Sequence, residues 1–330
     1  MNSKSIAVYR MPNETDFYSL ESDLPLLQND THQSSGFYFS DFETGTIFSI
    51  NTKDSSRNIW PEFTPHYLTV EKESDKKIYL EKIEKITHNI NKGDFKKVVY
   101  SKIKNKKKPQ NFALQKTFDS LCKEYPNTFV YCISTPDFGT WIGATPEVLI
   151  EKKENEFKTV SLAGTRVKGV EWTEKERMEQ QVVTDFISQN IAGFCSELDV
   201  SEPYDLDTGS VIHLKSDIRG KLNKEHSIWE VASALNPTPA VCGLPQNLAK
   251  EYILNNEIHQ RKLYTGCIGP MNLNKHQSLF VNLRCMQIGK NDLSLYLGGG
   301  IMGDSIPENE WIETENKSKT LLSILVEKPN

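Results

Sequence analysis

Residues 263–300 read LYTGCIGPMNLNKHQSLFVNLRCMQIGKNDLSLYLGGG, and this stretch decides the fold. Three apolar runs, LYTGCIGPMN, SLFVNLRCMQI and DLSLYLGGG, are separated by polar breaks and read as a meander of strands. Downstream, a helix from about Glu308 closes the chain. Upstream, FVYCIS, TWIGA, EVLIEK and FKTVSLA form a second β-rich stretch. The turn PDFG and the charged tip ENE interrupt it as hairpins do. VIHLKS adds a further strand, and Val98-Val99-Tyr100 begins another.

Helices punctuate these runs. Tyr79, Ile83, Ile86 and Ile90 recur on one helical face, and Gly93-Asp94 ends that helix. Leu114, Phe118 and Leu121 mark a second. Thr173 and Glu176 make a capping-box signature for a long helix running to about Leu198. Ser227 and Glu230 repeat that signature before IWEVASAL, and Pro245 suits the first turn of QNLAKEYILNNE. Strand runs joined by hairpins and interrupted by helices imply an α+β fold with antiparallel sheets. No repeat or linker divides the chain, so a single domain is expected over 1–330, with a variable N-terminal part at 1–70 and the core at 74–330. The first 70 residues are weakly patterned and read as short strands and loops.

Composition narrows the function classes. The chain has 330 residues, is 37% hydrophobic and 25% charged, and carries a net charge of −5, so no global basic field points to nucleic acid. The local run Lys104, Lys106, Lys107 and Lys108 reads as a solvated turn before Pro109. Six cysteines lack C-x-x-C spacing and fall mostly in apolar patterns, which suits small buried side chains in a reducing compartment. The start, MNSKSIAVYRMPNETD, has no apolar stretch, and no run is long enough to span a bilayer. A cytoplasmic protein without membrane partners is expected.

Four features carry chemistry. Glu176 and Glu179 lie three apart near the start of one helix, and Glu310 and Glu313 lie three apart in another. Such pairs share a helical face. Two faces brought together suit a divalent ion that keeps sites for water and substrate, as magnesium prefers. An E-x-x-E step in a charged helix is usually a solvated face, so the spacing by itself does not establish a metal site. Gly298-Gly299-Gly300 ends a strand and either lets a ligand approach the backbone or forms a tight bulge. Lys97 and Arg284 sit inside apolar strands, where a side chain points inward or outward. If inward, Arg284 is a fork for a carboxylate and Lys97 a base of lowered pKa. Glu147, after Pro146 between two strands, reads in isolation as an exposed turn carboxylate, and His213 in its apolar strand as a hydrogen-bonded core residue.

Taken in order, KVVYSK, GATPEVLI, SLAGTR, KERMEQQVV, HLKSDIRG, NPTPAVCGLP, RKLYTGCIG, NLRCMQI, YLGGGI and EWIETENKSKTL resemble the chorismate-utilising enzymes over roughly Lys97 to Leu325. That family includes isochorismate, salicylate, anthranilate and aminodeoxychorismate synthases. The resemblance implies its fold, the anthranilate synthase component I-like arrangement of two antiparallel β-sheets flanked by helices, with the site between the sheets. It implies Mg2+ as cofactor, with Glu179 and Glu313 matching the ligands and Glu176 and Glu310 their near or water-mediated companions. Arg284, Lys317, Tyr264 and the backbone near Gly300 match positions that hold the enolpyruvyl carboxylate. Lys97 matches the base that activates water, and Glu147 the acid that protonates the departing 4-hydroxyl. Gly164 and Thr165 match a loop over the ring, and His213 a neighbour of the site.

The chemistry agrees with these roles: hydroxide is a poor leaving group and needs an acid, and water needs a base. Within the family, Lys97 and NPTPAVCGLP favour the branch that isomerises chorismate to isochorismate, by water addition at C2 and loss of the C4 hydroxyl. Such a product feeds menaquinone or siderophore synthesis. Ala163 in SLAGT stands where the aminodeoxychorismate type carries lysine. Asn236, Gln180 and Lys215 depart from the residues usual in their motifs. A monomer acting on chorismate, without an obligatory glutaminase partner, is expected. The alternatives are a salicylate synthase, an amino-transferring subunit with a glutaminase, and a non-catalytic β-rich binding module.

Overall fold

The computed structural model describes residues 4–28, 35–52, 54–207 and 211–325, with the side chains of Thr165, Val167, Lys175, Asp207 and Val211 left undescribed. Among these residues the strands form two sheets, one of nine strands and one of ten. The first runs Gly243–Leu244, Lys97–Lys107, Asp292–Ile301, Cys285–Ile288, Gly139–Thr145, Phe129–Thr135, Ser5–Arg10, Tyr18–Ser22, Ser56–Arg57. The second runs Cys195–Val200, Val211–Leu222, Glu156–Val167, Val148–Lys153, His276–Val281, Cys267–Leu273, Gly36–Ser40, Ile47–Asn51, Leu27–Gln28, with Tyr204–Asp207 also on Val211–Leu222. The pairings are antiparallel, which makes the α+β architecture expected from the strand runs.

The helices are α1 (Lys76–Lys92), α2 (Leu114–Glu124), α3 (Glu174–Ile191), α4 (Ile228–Leu235), α5 (Gln246–Asn256) and α6 (Pro307–Leu325). α1 begins where the Asp75 carboxylate accepts from the Ile78 N–H at 3.0 Å and stops at Gly93, whose φ of 93° suits glycine. It buries Tyr79, Ile83 and Ile86, the face read from the sequence. The capping boxes Thr173/Glu176 and Ser227/Glu230 are both made. Among the described residues no helix is long and apolar enough to cross a membrane.

The two sheets interlock through aromatic side chains. Phe129 of the first sheet stacks on Phe280 of the second, with ring centroids 4.2 Å apart and planes 4° from parallel. Each fully buried phenylalanine contributes about 2–3 kcal/mol relative to an exposed one. The weakly patterned N-terminal residues are built into this core: Ala7 and Tyr9 of the first sheet pack with Phe37 and Phe39 of the second. All six cysteines are free.

Three expectations are corrected. SLFVNLRCMQI is two strands, His276–Val281 in the second sheet and Cys285–Ile288 in the first. Arg284 breaks them apart with a left-handed φ of 48°, which ends regular pairing. The long helix stops at Ile191, and 195–200 form an edge strand on Val211–Leu222, a tertiary pairing that overrides the local helical pattern. The lysine run is mostly the end of the long Lys97–Lys107 strand, where Lys107 pairs with Asp292 at 2.8 Å.

Candidate active site

The chain crosses between the sheets at two neighbouring points, and both carry singled-out residues. Pro146-Glu147 leads from Gly139–Thr145 in the first sheet to Val148–Lys153 in the second. Asn282–Arg284 leads back from the second sheet to the first. The crossings are tied together: Val281 N–H donates to Glu147 O at 2.9 Å and Ala144 N–H to Arg284 O at 3.1 Å. A strand that changes sheets cannot be regularly paired at the change, so its side chains are free to face the space between.

That space is a cavity of about 910 Å³, lined by Glu147, His213, Arg284, Glu313 and Lys317 among others. Leu149, Val160, Leu162 and Leu235 supply an apolar wall. The size and the mixture suit a small polar ligand. Arg284 is fixed by donating to Thr320 Oγ1 of α6 at 2.7 Å. Lys317 donates to Gly298 O at 2.9 Å and pairs with Glu313 at 2.6 Å.

Lys97 and Glu147 belong to one electrostatic environment. Burial pushes the Lys97 ammonium below its ordinary range, against Glu179 and Glu147, which raise it. Burial pushes the Glu147 carboxyl up to about 7, against Lys97 and Thr238, which lower it. A base that sheds its proton more readily beside an acid that keeps it more tightly is the arrangement general acid–base catalysis requires. Sequence alone left both side chains as possible surface residues; the structure turns both inward.

The glycine triplet makes room for three side chains. A Cβ on Gly298 would lie 2.7 Å from the Tyr264 hydroxyl, one on Gly299 3.2 Å from Glu310 Oε2, and one on Gly300 2.8 Å from Lys97 Cε. Tyr264 is therefore packed beneath the strand, 3% exposed, where burial raises its phenol. Gly164 sits at a bulge with φ of 68°, where a Cβ would meet Glu176 O at 2.9 Å, so the loop lies against the start of α3. Burial lowers His213, against the Gly164 backbone and Glu179, which raise it. The Thr165 side chain lies outside the described residues, although its backbone pairs with His213.

The four glutamates are differently engaged: Glu179, on α3, acts through its charge on Lys97. Glu176 is engaged in the helix cap, accepting from the Thr173 N–H at 3.0 Å. Glu313 is held by Lys317, and Glu310 is raised by burial and, secondarily, by the nearby Glu313 charge. Among the described residues no group of three or more His, Cys, Asp or Glu side chains is gathered to hold a metal ion.

Three departures from the family motifs receive a physical account. Gln180 is buried, accepts from Ala163 N–H at 2.7 Å and donates to Ser161 Oγ at 2.9 Å, which fastens α3 to the strand behind it. Lys215 lines the cavity and pairs with Asp217 at 3.3 Å. Asn236 donates to Ser40 Oγ at 3.4 Å and starts the segment that contributes Thr238, Pro239 and Ala240 to the cavity. Those three were not singled out from sequence; a threonine enclosed by two prolines was the available signal. Arg261 locks this segment to the Lys97 strand, donating to Val241 O at 2.9 Å and Val99 O at 2.7 Å while paired with buried Glu257.

Comparison with known proteins matches residues 46–326 to the family of chorismate binding enzymes. An isochorismate synthase of Bacillus subtilis is 34% identical over 197 residues, covering 56% of this chain and 50% of that protein. One of Escherichia coli K12 is 29% identical over 219 residues, covering 62% and 56%. The aligned part thus spans about half the length of these curated relatives. A structure described as a 2,3-dihydroxybenzoate-specific isochorismate synthase from Bacillus anthracis superposes with a TM-score of 0.80 at 25% identity, covering 98% of this chain and 97% of that one.

Proposed function

The chain belongs to the family of chorismate binding enzymes, and on that premise we propose that it isomerises chorismate to isochorismate. The observation that carries the reading is the Lys97–Glu147 pair, one group shifted down and the other up within one environment. Lys97, when neutral, takes a proton from the water that adds at C2. Glu147, when protonated, gives its proton to the 4-hydroxyl, which leaves as water. The two transfers balance, and the pair is restored by exchanging protons with solvent.

Binding rests on the cations at the same cavity. Arg284, anchored to Thr320, offers a fork to one carboxylate of the dianion. Lys317, set by the Gly298 carbonyl, adds a second positive charge. The apolar wall of Leu149, Val160, Leu162 and Leu235 excludes water around the ring.

Magnesium is the cation this reading calls for. The available donors are hard carboxylate oxygens on two helices, with Glu176 and Glu179 on α3 and Glu310 and Glu313 on α6. Glu179 and Glu313 would hold it, with Glu310 and Glu176 behind them, and it would neutralise the ring carboxylate.

The test is an end-point assay with chorismate, with and without magnesium, and products separated by chromatography. Isochorismate formed only with magnesium supports the reading. Salicylate with equimolar pyruvate would replace it with the salicylate synthase reaction, and no conversion with or without ammonium would overturn it.

A further inference from the structure

Thr238 is enclosed by Pro237 and Pro239, and both prolines restrict the backbone. Its carbonyl accepts from Val241 N–H and Cys242 N–H, each at 3.0 Å. The Pro237 carbonyl accepts from Gln246 Nε2 at 2.7 Å. Beyond this turn, Cys242 O accepts from Val99 N–H at 2.8 Å, two residues after Lys97. The segment is thus a rigid clip bonded to the strand that carries the base.

On this clip the Thr238 hydroxyl is an anomaly. Oγ1 is buried, and no hydrogen bond of ordinary length and angle satisfies it, although Thr238 lines the cavity beside Glu147. A buried hydroxyl left unpaired costs free energy, and a fold that holds one so firmly at a cavity wall leaves it available to a group there. The charged or titratable groups sharing that cavity are Glu147, His213, Lys215, Arg284, Glu313 and Lys317, and the charge of Lys97 acts on Glu147 as well. Among them Glu147 is the acceptor that lacks a fixed cationic partner, and the Thr238 side chain lies close enough to lower its carboxyl by hydrogen bonding.

We infer that Thr238 is a positioning residue for Glu147: its hydroxyl donates to one carboxyl oxygen and leaves the acidic hydrogen on the other, directed into the cavity. The inference rests on the acid role proposed above for Glu147. A carboxyl has two oxygens and rotates about its terminal bond, so without an anchor the proton has no preferred direction. Thr238 supplies that anchor from a turn that is itself tied to the Lys97 strand. Acid and base are thereby held in one mutual geometry.

The full-length protein tests this in two measurements. The first is the titration of the Glu147 carboxyl carbon, by carbon-13 NMR of glutamate-labelled protein, assigned by its absence in Glu147→Gln. Thr238→Val is expected to raise that titration by about 1 pH unit, because the ionised form loses a donor. Thr238→Ser, which keeps the hydroxyl, is expected to restore it. The second is the pH profile of chorismate turnover. The valine variant should lose about fivefold in kcat, with its alkaline limb moved up in parallel, and the serine variant should recover to within about twofold. An unmoved titration in the valine variant, or a serine variant as impaired as the valine one, overturns the assignment. Thr238→Ala serves in place of valine if the added bulk prevents folding. The titration is read without substrate, so a wild-type protein that leaves chorismate unchanged sinks the proposed reaction while the titration still decides the Thr238–Glu147 link.

Discussion

Lys97 occupies the space that a side chain on Gly300 would take: a Cβ there would lie 2.8 Å from Lys97 Cε and 3.5 Å from Nζ. The glycine at the end of this strand is therefore a condition for the position of the proposed base. Gly300→Ala should displace the ammonium by a fraction of an ångström to an ångström. Misplacement on that scale lowers turnover by about 100-fold, while the fold persists. Steady-state kinetics beside thermal unfolding checks it; an alanine variant of normal kcat would remove Lys97 from the chemistry or show that it moves without consequence.

Glu147→Gln should separate stability from activity. Its carboxyl is pushed up to about 7 by burial, above its usual value in the unfolded chain. The folded protein then holds that proton more tightly, so stability falls as pH rises from the ordinary carboxylate range through 7 and stays reduced above it. Glutamine removes this dependence. The variant should be more stable than wild type by about 1–3 kcal/mol at pH 8 and little changed at pH 4.5. Turnover should drop about 1000-fold. Denaturant melts at the two pH values, with a chorismate assay, read both effects.

The pH profile of turnover follows from the same pair. The reaction needs Lys97 neutral and Glu147 protonated, so kcat/KM should decline above about 7 as Glu147 ionises. It should decline on the acid side as Lys97 takes up its proton. A bound dianion favours the protonated form of both groups. The alkaline limb of kcat should therefore lie higher than that of kcat/KM, and coincident limbs would point to a different acid.

Removal of divalent ions with a chelator should abolish turnover, and magnesium should restore it. Glu179→Gln and Glu313→Gln should each raise the magnesium needed for half-maximal rate by more than about tenfold. A magnesium titration unchanged in either variant would take that residue out of contact with the ion.

The buried pair Glu257–Arg261 predicts a purely structural effect. Glu257 meets Arg261 Nη2 at 2.6 Å and Nε at 2.8 Å, and Arg261 also binds the Val99 and Val241 carbonyls. Glu257→Ala leaves a buried guanidinium without its counter-charge, at a cost of about 3–5 kcal/mol. Urea unfolding measures it, and a loss below about 1 kcal/mol would show that solvent reaches Arg261.

Much of the molecule was legible in the chain. The apolar period of Tyr79, Ile83 and Ile86, the stop at Gly93, and the two capping boxes locate helices because these are contacts between residues three or four apart. The same holds for the hairpin breaks that define FVYCIS and TWIGA as neighbouring strands. What local pattern missed lies where distant partners decide. The apolar run SLFVNLRCMQI continues through Arg284 without a break in hydrophobicity, yet the chain changes sheets there. Residues 195–200 pair with Val211–Leu222 rather than extending α3.

For the candidate site, the sequence by itself determined the inventory: a lysine at the head of one strand, a glutamate after a proline, two glutamate pairs at helical spacing, and three glycines in a row. It also determined the order of motifs that places the chain in its family. Only the tertiary structure decided that Lys97 and Glu147 share one buried electrostatic environment, that Gly300 clears the space for one, and that Glu313 lines the cavity. The physical reason is range. Helix and hairpin signals arise from neighbours along the chain, whereas the inward or outward turn of a strand side chain and the desolvation that shifts its pKa depend on atoms that only the packed sheets bring near.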